Sequence, residues 1–413
     1  VYNLINHNLI FKSEIYNACE TFEFSPDGKL VAITIEKLNT PERFFPLRLY
    51  VCENCWLVQT EDFMDANFLF DDGYAYFSSV SKGWLSHAKK YSHHVKDRFN
   101  LNSRCHIVEI ASNDGYLLKN FLEMNIPCLG IEPTASTASV AESLGIPVLK
   151  SFFSEALAQE LVRARKAADL IVGNNVYAHV PDINDFTRGI ATLLKPSGVV
   201  TLEFPHLMRL IEFCQFDTVY HEHFSYLSAL TVAKIFLQAG LRIFDIEELP
   251  THGGSLRVYG CHSKAPHSIT NKAKSVLNEE YNRGLDNINF YDKFQTYSDT
   301  IKNEFLNFLI DAKKNKKTVA AYGAAAKGNT LLNYAGIKTD LIQFVCDAAP
   351  SKQGKFTPGS NIPIVKPSEL KKKPTDYLIV LPWNIADEIK EQLEGLVNAK
   401  TRLVTVIPKM KIL

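Results

Sequence analysis

Short runs of branched apolar residues fill the middle of this chain, each followed by a polar or small-residue turn and then a stretch of helical period. His106-Ile107-Val108-Glu109-Ile110, Cys128-Leu129-Gly130-Ile131, Leu170-Ile171-Val172 and Val199-Val200-Thr201-Leu202 have the length and composition of buried strands. Ala135 to Leu144 and Asp185 to Leu194 read as helices between them. This alternation predicts a doubly wound, parallel, helix-covered α/β sheet. From Lys317 the alternation resumes, with strands expected at Thr318 to Tyr322, Leu341 to Val345, Tyr377 to Val380 and Leu403 to Val406. Residues 263 to about 312 are polar with helical period and predict a connecting helix pair. The first 65 residues alternate apolar runs with turn signals such as Ser25-Pro26-Asp27-Gly28, and predict a small β unit around Cys52-Glu53-Asn54-Cys55. The expected domains are therefore 1–65, 66–262 and 263–413.

A length of 413 residues agrees with that division, because a single core stops growing at roughly 250–300 residues. Lys+Arg and Asp+Glu stand at 45 each. The zero net charge speaks against a broad polyanion surface, so no nucleic-acid partner is expected. No apolar run reaches the ~18–20 residues of a membrane span, and no signal peptide opens the chain. The eight scattered cysteines suit a reducing cytoplasm. A cytoplasmic protein without a membrane partner is expected.

Glu109 to Gly115 is a strand running into a small, polar turn and then a helix, which lets backbone approach a ligand at the carboxyl end of the sheet. The turn includes Ala111, Asn113 and Asp114 and has a single glycine, Gly115, so the pyrophosphate fingerprint of a dinucleotide site is absent. Glu132 closes the next strand, where an acid accepts hydrogen bonds from ribose hydroxyls. With Glu109 and Asp114 as negative charge and Asn174-Asn175 after the third strand, this pattern suits S-adenosylmethionine better than NAD.

The densest group of ionisable side chains is Tyr220-His221-Glu222-His223. Two histidines and a glutamate supply a general base and its orienting partner. A zinc-peptidase reading fails, since that motif needs histidines four apart. His206 ends the preceding strand, and Thr251-His252-Gly253-Gly254-Ser255 follows, bringing His252 and Ser255 as candidates for the same pocket. Near the C-terminus, Gly323 to Thr330 follows a strand and begins a helix, and its small residues with Lys327 make an anion site expected to meet a phosphate-bearing substrate. Asp347, Lys352 and Lys355 lie just beyond the next strand, as candidate contacts to a nucleotide.

In their order and spacing these motifs, together with Tyr74-Ala75-Tyr76-Phe77-Ser78-Ser79, resemble the S-adenosylmethionine-dependent sugar C-methyltransferases. The resemblance runs from about Phe44 to the end of the chain. It implies a class I methyltransferase Rossmann-like sheet, a small N-terminal zinc-ribbon-like domain and a C-terminal Rossmann-like α/β domain. It implies methylation of C3 of a nucleotide-linked 4-keto-6-deoxysugar: a base removes the C3 proton and the enolate carbon takes the methyl group. His223 is then the base, Glu222 and Tyr220 orient it or position the keto group, and Tyr74 or Tyr76 donates to the enolate oxygen. Cofactor contacts are expected from Glu109, Ala111, Asn113, Asp114, Gly115, Glu132, Asn174 and Asn175. Substrate contacts are expected from His179, His206, His252, Gly253, Ser255, Lys327, Asn329 and Lys352.

The resemblance also implies structural zinc held by two Cys-x-x-Cys pairs, of which only Cys52 and Cys55 are present. A tetrahedral site needs four ligands; Cys19 and His7 are the candidates to complete it with Cys52 and Cys55, though not at the expected spacing. Two competing readings are an NAD-dependent nucleotide-sugar oxidoreductase or epimerase, and a non-catalytic nucleotide-sugar-binding protein.

Overall fold

The computed structural model describes residues 21–23, 45–62 and 77–413. In chain order its strands are β1 (Thr21–Glu23), β2 (Arg48–Val51), β3 (Val58–Thr60), β4 (Ile107–Ile110), β5 (Cys128–Ile131), β6 (Val148–Leu149), β7 (Ala168–Asn174), β8 (Leu194–Pro205), β9 (Ser225–Tyr226), β10 (Leu241–Leu249) and β11 (Ser255–His262). The C-terminal strands are β12 (Val319–Tyr322), β13 (Val345–Cys346), β14 (Ile364–Val365), β15 (Tyr377–Val380), β16 (Arg402–Thr405) and β17 (Lys411–Ile412).

The central sheet has the order β10-β11-β8-β7-β4-β5-β6. From β4 the chain winds outward through β5 and β6, then crosses back to β7 and β8, all in parallel. The strand order reverses between β4 and β7, and ligands of such sheets bind outside the carboxyl ends at that point. The sheet is not wholly parallel as expected: β11 runs antiparallel between β8 and β10. Only residues 250–254 join β10 to β11, and a parallel crossover needs about a dozen residues, so this link can form only a hairpin. Both faces of the sheet are covered by buried apolar side chains, among them Ile190 and Val200 on one side and Tyr91 and Leu170 on the other.

The C-terminal sheet, β14-β13-β12-β15-β16-β17, repeats the plan, with its own reversal between β12 and β15. Its first five strands are parallel and β17 is antiparallel. The strand expected over 341–345 is confined to Val345–Cys346, because the backbone N–H groups of Leu341 and Ile342 turn back onto the Lys338 carbonyl. The helix pair expected between the sheets is Asn271–Arg283 and Phe294–Lys314. The longer helix buries Phe294, Ser298, Ile301, Phe305, Leu309 and Ala312 along one face, at the three- and four-residue spacing of an amphipathic helix.

In the N-terminal part, β1, β2 and β3 form a small antiparallel sheet that β9 extends. One apolar cluster joins β2 and β3 (Leu49, Val51, Val58), the stretch 207–226 (Leu207, Phe216, Val219, Tyr226) and the C-terminal sheet (Ala321, Val345, Ile379, Val404). Each fully buried side chain of that size contributes roughly 1.5–3 kcal/mol. The seven cysteines among the described residues are all free. Among the described residues no helix is long and apolar enough to cross a membrane.

Candidate active site

A cleft of about 720 Å³ opens where the carboxyl ends of both parallel sheets face each other. On one wall, β4 ends at Ile110 and the chain turns through Ala111, Asn113 and Gly115 with φ of 57°, 49° and 77°. A left-handed backbone costs a residue with a Cβ about 1–2 kcal/mol, so the first two need support. The N–H groups of Ala111 and Ser112 donate to the Ile131 carbonyl at 2.8 and 3.2 Å. Glu132 accepts from the backbone N–H of Asn113 at 2.8 Å and of Thr134 at 3.0 Å. Asn113 and Asp114 in turn accept from the N–H groups of Ser78 and Ser79, both at 3.0 Å.

Ala111, Asn113, Glu132, Asn174 and Asn175 line the cleft; Glu109, Asp114 and Gly115 are not among its lining residues. Glu109 is 1 % exposed and neither of its oxygens has a partner. Burial, with Glu132 and Asp114 nearby, pushes its carboxyl well above the usual range. It is enclosed beneath the loop, away from the cleft wall where a ligand would meet it. Both side-chain polar atoms of Asn174 and Oδ1 of Asn175 also lack a protein partner. Buried polar atoms left in this state mark a place where a ligand completes the bonding.

On the second wall stands the Tyr220 to His223 cluster. Nδ1 of His223 lies 3.2 Å from the Thr218 carbonyl. A carbonyl only accepts, so Nδ1 carries the hydrogen and Nε2 keeps its lone pair. The ring meets Tyr220 at 4.1 Å and His179 at 4.6 Å between centroids. Burial, reinforced by His179, pushes the His223 imidazole well below its ordinary value. The same desolvation lowers His179 and His252 to about 4 and raises Glu222 to about 7. Small β-strand contacts anchor this segment: the Thr60 hydroxyl donates to the His223 carbonyl at 3.0 Å, and Thr60 N–H to that of Phe224 at 3.2 Å.

The C-terminal sheet closes the cleft with Ala325, Ala326, Lys327, Lys352 and Asn384. Lys327 donates to Asn384 Oδ1 at 3.1 Å, and Lys352 to the Ala324 carbonyl at 2.8 Å. Asp347 accepts from the backbone N–H of Ala324 and Ala349 at 2.7 and 2.8 Å, which ties the turn after β12 to the end of β13.

His179, Tyr220, Glu222, His223 and His252 thus share one cleft with Lys327 and Lys352. His206 does not join them: it is buried and donates to Glu280 Oε1 at 2.7 Å. Glu280 also takes the N–H groups of Ala229 and Leu230, both at 2.7 Å, at the start of the helix Ala229–Gln238. The Ser255 hydroxyl is spent on the Thr251 carbonyl at 2.9 Å. The Gly253 carbonyl accepts from Gln215 at 2.8 Å. Asn329 is buried within the helix Ala326–Tyr334 and is not among the lining residues. Tyr74, Tyr76, Cys19 and His7 lie outside the described residues. Cys52 and Cys55 occupy one tight turn, with the Cys55 thiol bonded to Cys52, which it lowers to about 6. Among the described residues no three His, Cys, Asp or Glu side chains converge as a metal site. Two donors are half of a tetrahedral zinc set.

Several lining residues were not singled out in the sequence. Trp84 stacks on His87 at 4.9 Å and meets His252 edge-on at 5.6 Å. His87 contacts both oxygens of buried Glu203 at 2.9 and 3.0 Å, and Glu203 is paired with Arg257 at 2.5 Å. These partners are spread over more than a hundred residues with no local spacing to betray them. Asn384 sits four residues beyond the strand ending at Val380, at the carboxyl end of the sheet where ligand contacts gather.

The comparisons with known proteins agree with this geometry. A methyltransferase domain family matches residues 71–246, and a C-methyltransferase C-terminal domain family matches residues 250–408. A family named for zinc binding matches residues 29–70. C-methyltransferase NovU of Streptomyces niveus is 31% identical over 372 residues, covering 90% of this chain and 88% of that one. Magnesium protoporphyrin IX methyltransferase from Synechocystis, solved with bound SAH, aligns at a TM-score of 0.36 and 13% identity over 48% of this chain and 92% of its own. A methyltransferase of Clostridium acetobutylicum aligns at 0.35 and 11% over 43% and 92%. At those scores the solved structures add nothing to what the sheet order already shows. With a relative of that identity matched along nearly its whole length, the chain belongs to the S-adenosylmethionine-dependent C-methyltransferases.

Proposed function

We propose that this enzyme methylates the carbon beside the ketone of a nucleotide-linked 4-keto-6-deoxysugar, with His223 as the base. The observation that carries the reading is the 3.2 Å bond from His223 Nδ1 to the Thr218 carbonyl, which leaves a basic Nε2 in a cleft shared with the cofactor loop. The depressed pKa keeps that nitrogen unprotonated at neutral pH, as a base requires.

When bound, S-adenosylmethionine supplies an electrophilic methyl group. The residues fit it: the unpartnered atoms of Asn174 and Asn175 offer polar contacts, and each Glu132 oxygen keeps a second lone pair for a hydroxyl. Ile110, Ile131 and Phe152 give the apolar walls a flat ring needs. Ala111 and Asn113 bring backbone against the ligand, with Glu109, Asp114 and Gly115 shaping the loop from beneath.

On the substrate, His223 Nε2 takes the C3 proton and the electron pair moves into an enolate. Tyr220 and Glu222 line the same wall and hold the keto oxygen, Glu222 carrying a proton up to about pH 7. Tyr74 or Tyr76 adds a further donor. His179 and His252 border the sugar, and Lys327 and Lys352 meet the anionic nucleotide end. Gly253, Ser255, His206 and Asn329 shape these walls from behind. The three domains at 1–65, 66–262 and 263–413 then divide the labour, and a nucleotide-linked substrate places the reaction in the cytoplasm. The missing glycine fingerprint leaves the dinucleotide alternative without support.

Mass spectrometry of the enzyme with S-adenosylmethionine and a panel of nucleotide-linked 4-keto-6-deoxysugars tests the reading. A product one methyl heavier, with the methyl on carbon and absent for His223→Gln, is expected. Undiminished transfer by His223→Gln overturns the assignment of the base.

A further inference from the structure

His223 owes its tautomer to one acceptor, the Thr218 carbonyl. That carbonyl sits at the end of a single turn, Phe216–Thr218, closed internally by the N–H and hydroxyl of Thr218 on the Gln215 carbonyl, at 3.0 and 2.7 Å, and by the Val219 N–H on the Phe216 carbonyl at 3.0 Å. Both neighbours of Thr218 are held by residues just beyond the strands of the C-terminal sheet, Trp383 after β15 and Thr330 in the helix after β12. On one side the indole N–H of Trp383 donates to Asp217 Oδ2 at 2.7 Å. On the other, the Thr330 hydroxyl donates to the Val219 carbonyl at 2.9 Å. Trp383 is itself wedged against Gly253, where a Cβ would fall 2.4 Å from its ring. Buried Phe216 meets Tyr334 of the helix Ala326–Tyr334 at 5.2 Å between ring centroids.

We propose that Trp383 and Thr330 are positioning residues for the base: by holding Asp217 and Val219 they fix the Thr218 carbonyl, and through it the Nδ1-protonated form of His223. This rests on His223 being the base. An imidazole divides readily between its two tautomers, and the hydrogen bond made by one nitrogen decides which is present. A carbonyl displaced by a few tenths of an ångström loses much of that control, because hydrogen bonds weaken steeply with geometry. The C-terminal sheet thereby acts on the chemistry without touching the reacting carbon.

The test reads the tautomer directly, without a sugar. The full-length enzyme, labelled with ¹⁵N-histidine, is studied by NMR at pH 8, and the His223 signals are assigned by their loss in His223→Gln. The wild type shows Nδ1–H. In Trp383→Phe combined with Thr330→Val, the ratio of Nδ1–H to Nε2–H falls by about tenfold, the scale of one net hydrogen bond. Thr330→Ser, which keeps the hydroxyl, retains the wild-type ratio. Affinity for S-adenosylmethionine, read by calorimetry, stays within about twofold, since its loop stands on the opposite wall. Should the double variant not bind the cofactor, Thr330→Val against Thr330→Ser decides. With the acceptor sugar, kcat falls about tenfold while KM holds, as expected for a misaligned base. Unchanged tautomer populations overturn the proposal. Failure of the base assignment itself shows separately, as methyl transfer surviving in His223→Gln.

Discussion

The two parallel sheets meet the cleft in the same way and differ in what they leave unfinished. At the reversal of the central sheet, Asn174 and Asn175 keep buried polar atoms with no protein partner, and Ala111 and Asn113 sit in a costly backbone conformation. At the reversal of the C-terminal sheet, Asp347 takes two backbone N–H groups, Lys352 caps Ala324, and Lys327 is bonded to Asn384. A loop left incomplete is shaped for a ligand that completes it. A loop that is internally satisfied serves first as a support, and here it supports the segment that carries His223.

The largest effect expected is that of His223, which stands between the two loops. His223→Gln lowers kcat by about 10²–10⁴, the usual worth of a positioned base, measured by methyl transfer to the acceptor sugar. The comparison itself is tested next. Glu132→Ala strips two loop N–H groups of their acceptor, at about 1–3 kcal/mol each, so cofactor affinity by calorimetry falls at least about 30-fold. Lys352→Met, in the satisfied loop, changes that affinity by less than about twofold; equal losses in the two variants would break the contrast. Gly323→Ala sharpens it on the stability side. Gly323 has φ of 95°, and a Cβ would fall 2.4 Å from the Pro382 ring, so thermal unfolding should show a loss of about 2–4 kcal/mol. The smallest effect is on pH. A depressed His223 pKa means its neutral form persists as the medium turns acid, so kcat/KM should stay level down to below pH 6.5. A fall centred near pH 7 would instead mark ionised Glu222 as the essential base.

The parallel strands were legible because each is a short branched run closed by a turn: Cys128–Ile131 and Tyr377–Val380 fall where the pattern places them. The β10–β11 hairpin was not singled out, although Ser255 to Tyr259 alternates polar and apolar residues along a strand. Leu341 and Ile342 are as apolar as a strand but their N–H groups turn back onto Lys338, so pairing with β12 starts only at Gln343, whose N–H donates to the Val319 carbonyl. At the site, local motifs brought out Tyr220, Glu222 and His223 together. Spacing could not reveal that Glu109 is sealed beneath its loop, or that His206 belongs to Glu280 across 74 positions. The same holds for Trp383 and Asp217, joined across 166 positions by a contact that only the packing of two sheets creates.

The apolar cluster that runs from β2 and β3 through residues 207–226 into the C-terminal sheet bears on how such enzymes can be recombined. A chimera cut at 250–262 would pair a donor's C-terminal sheet with a foreign Phe216, Val219 and Tyr226, severing one core to join two. The exchangeable cassette is discontinuous: residues 207–226 must travel with the C-terminal sheet, although the whole β10–β11 hairpin of the central sheet lies between them in the chain. Shuffling acceptor preference in this scaffold is therefore a problem of transplanting an interior, not of swapping beads on a string.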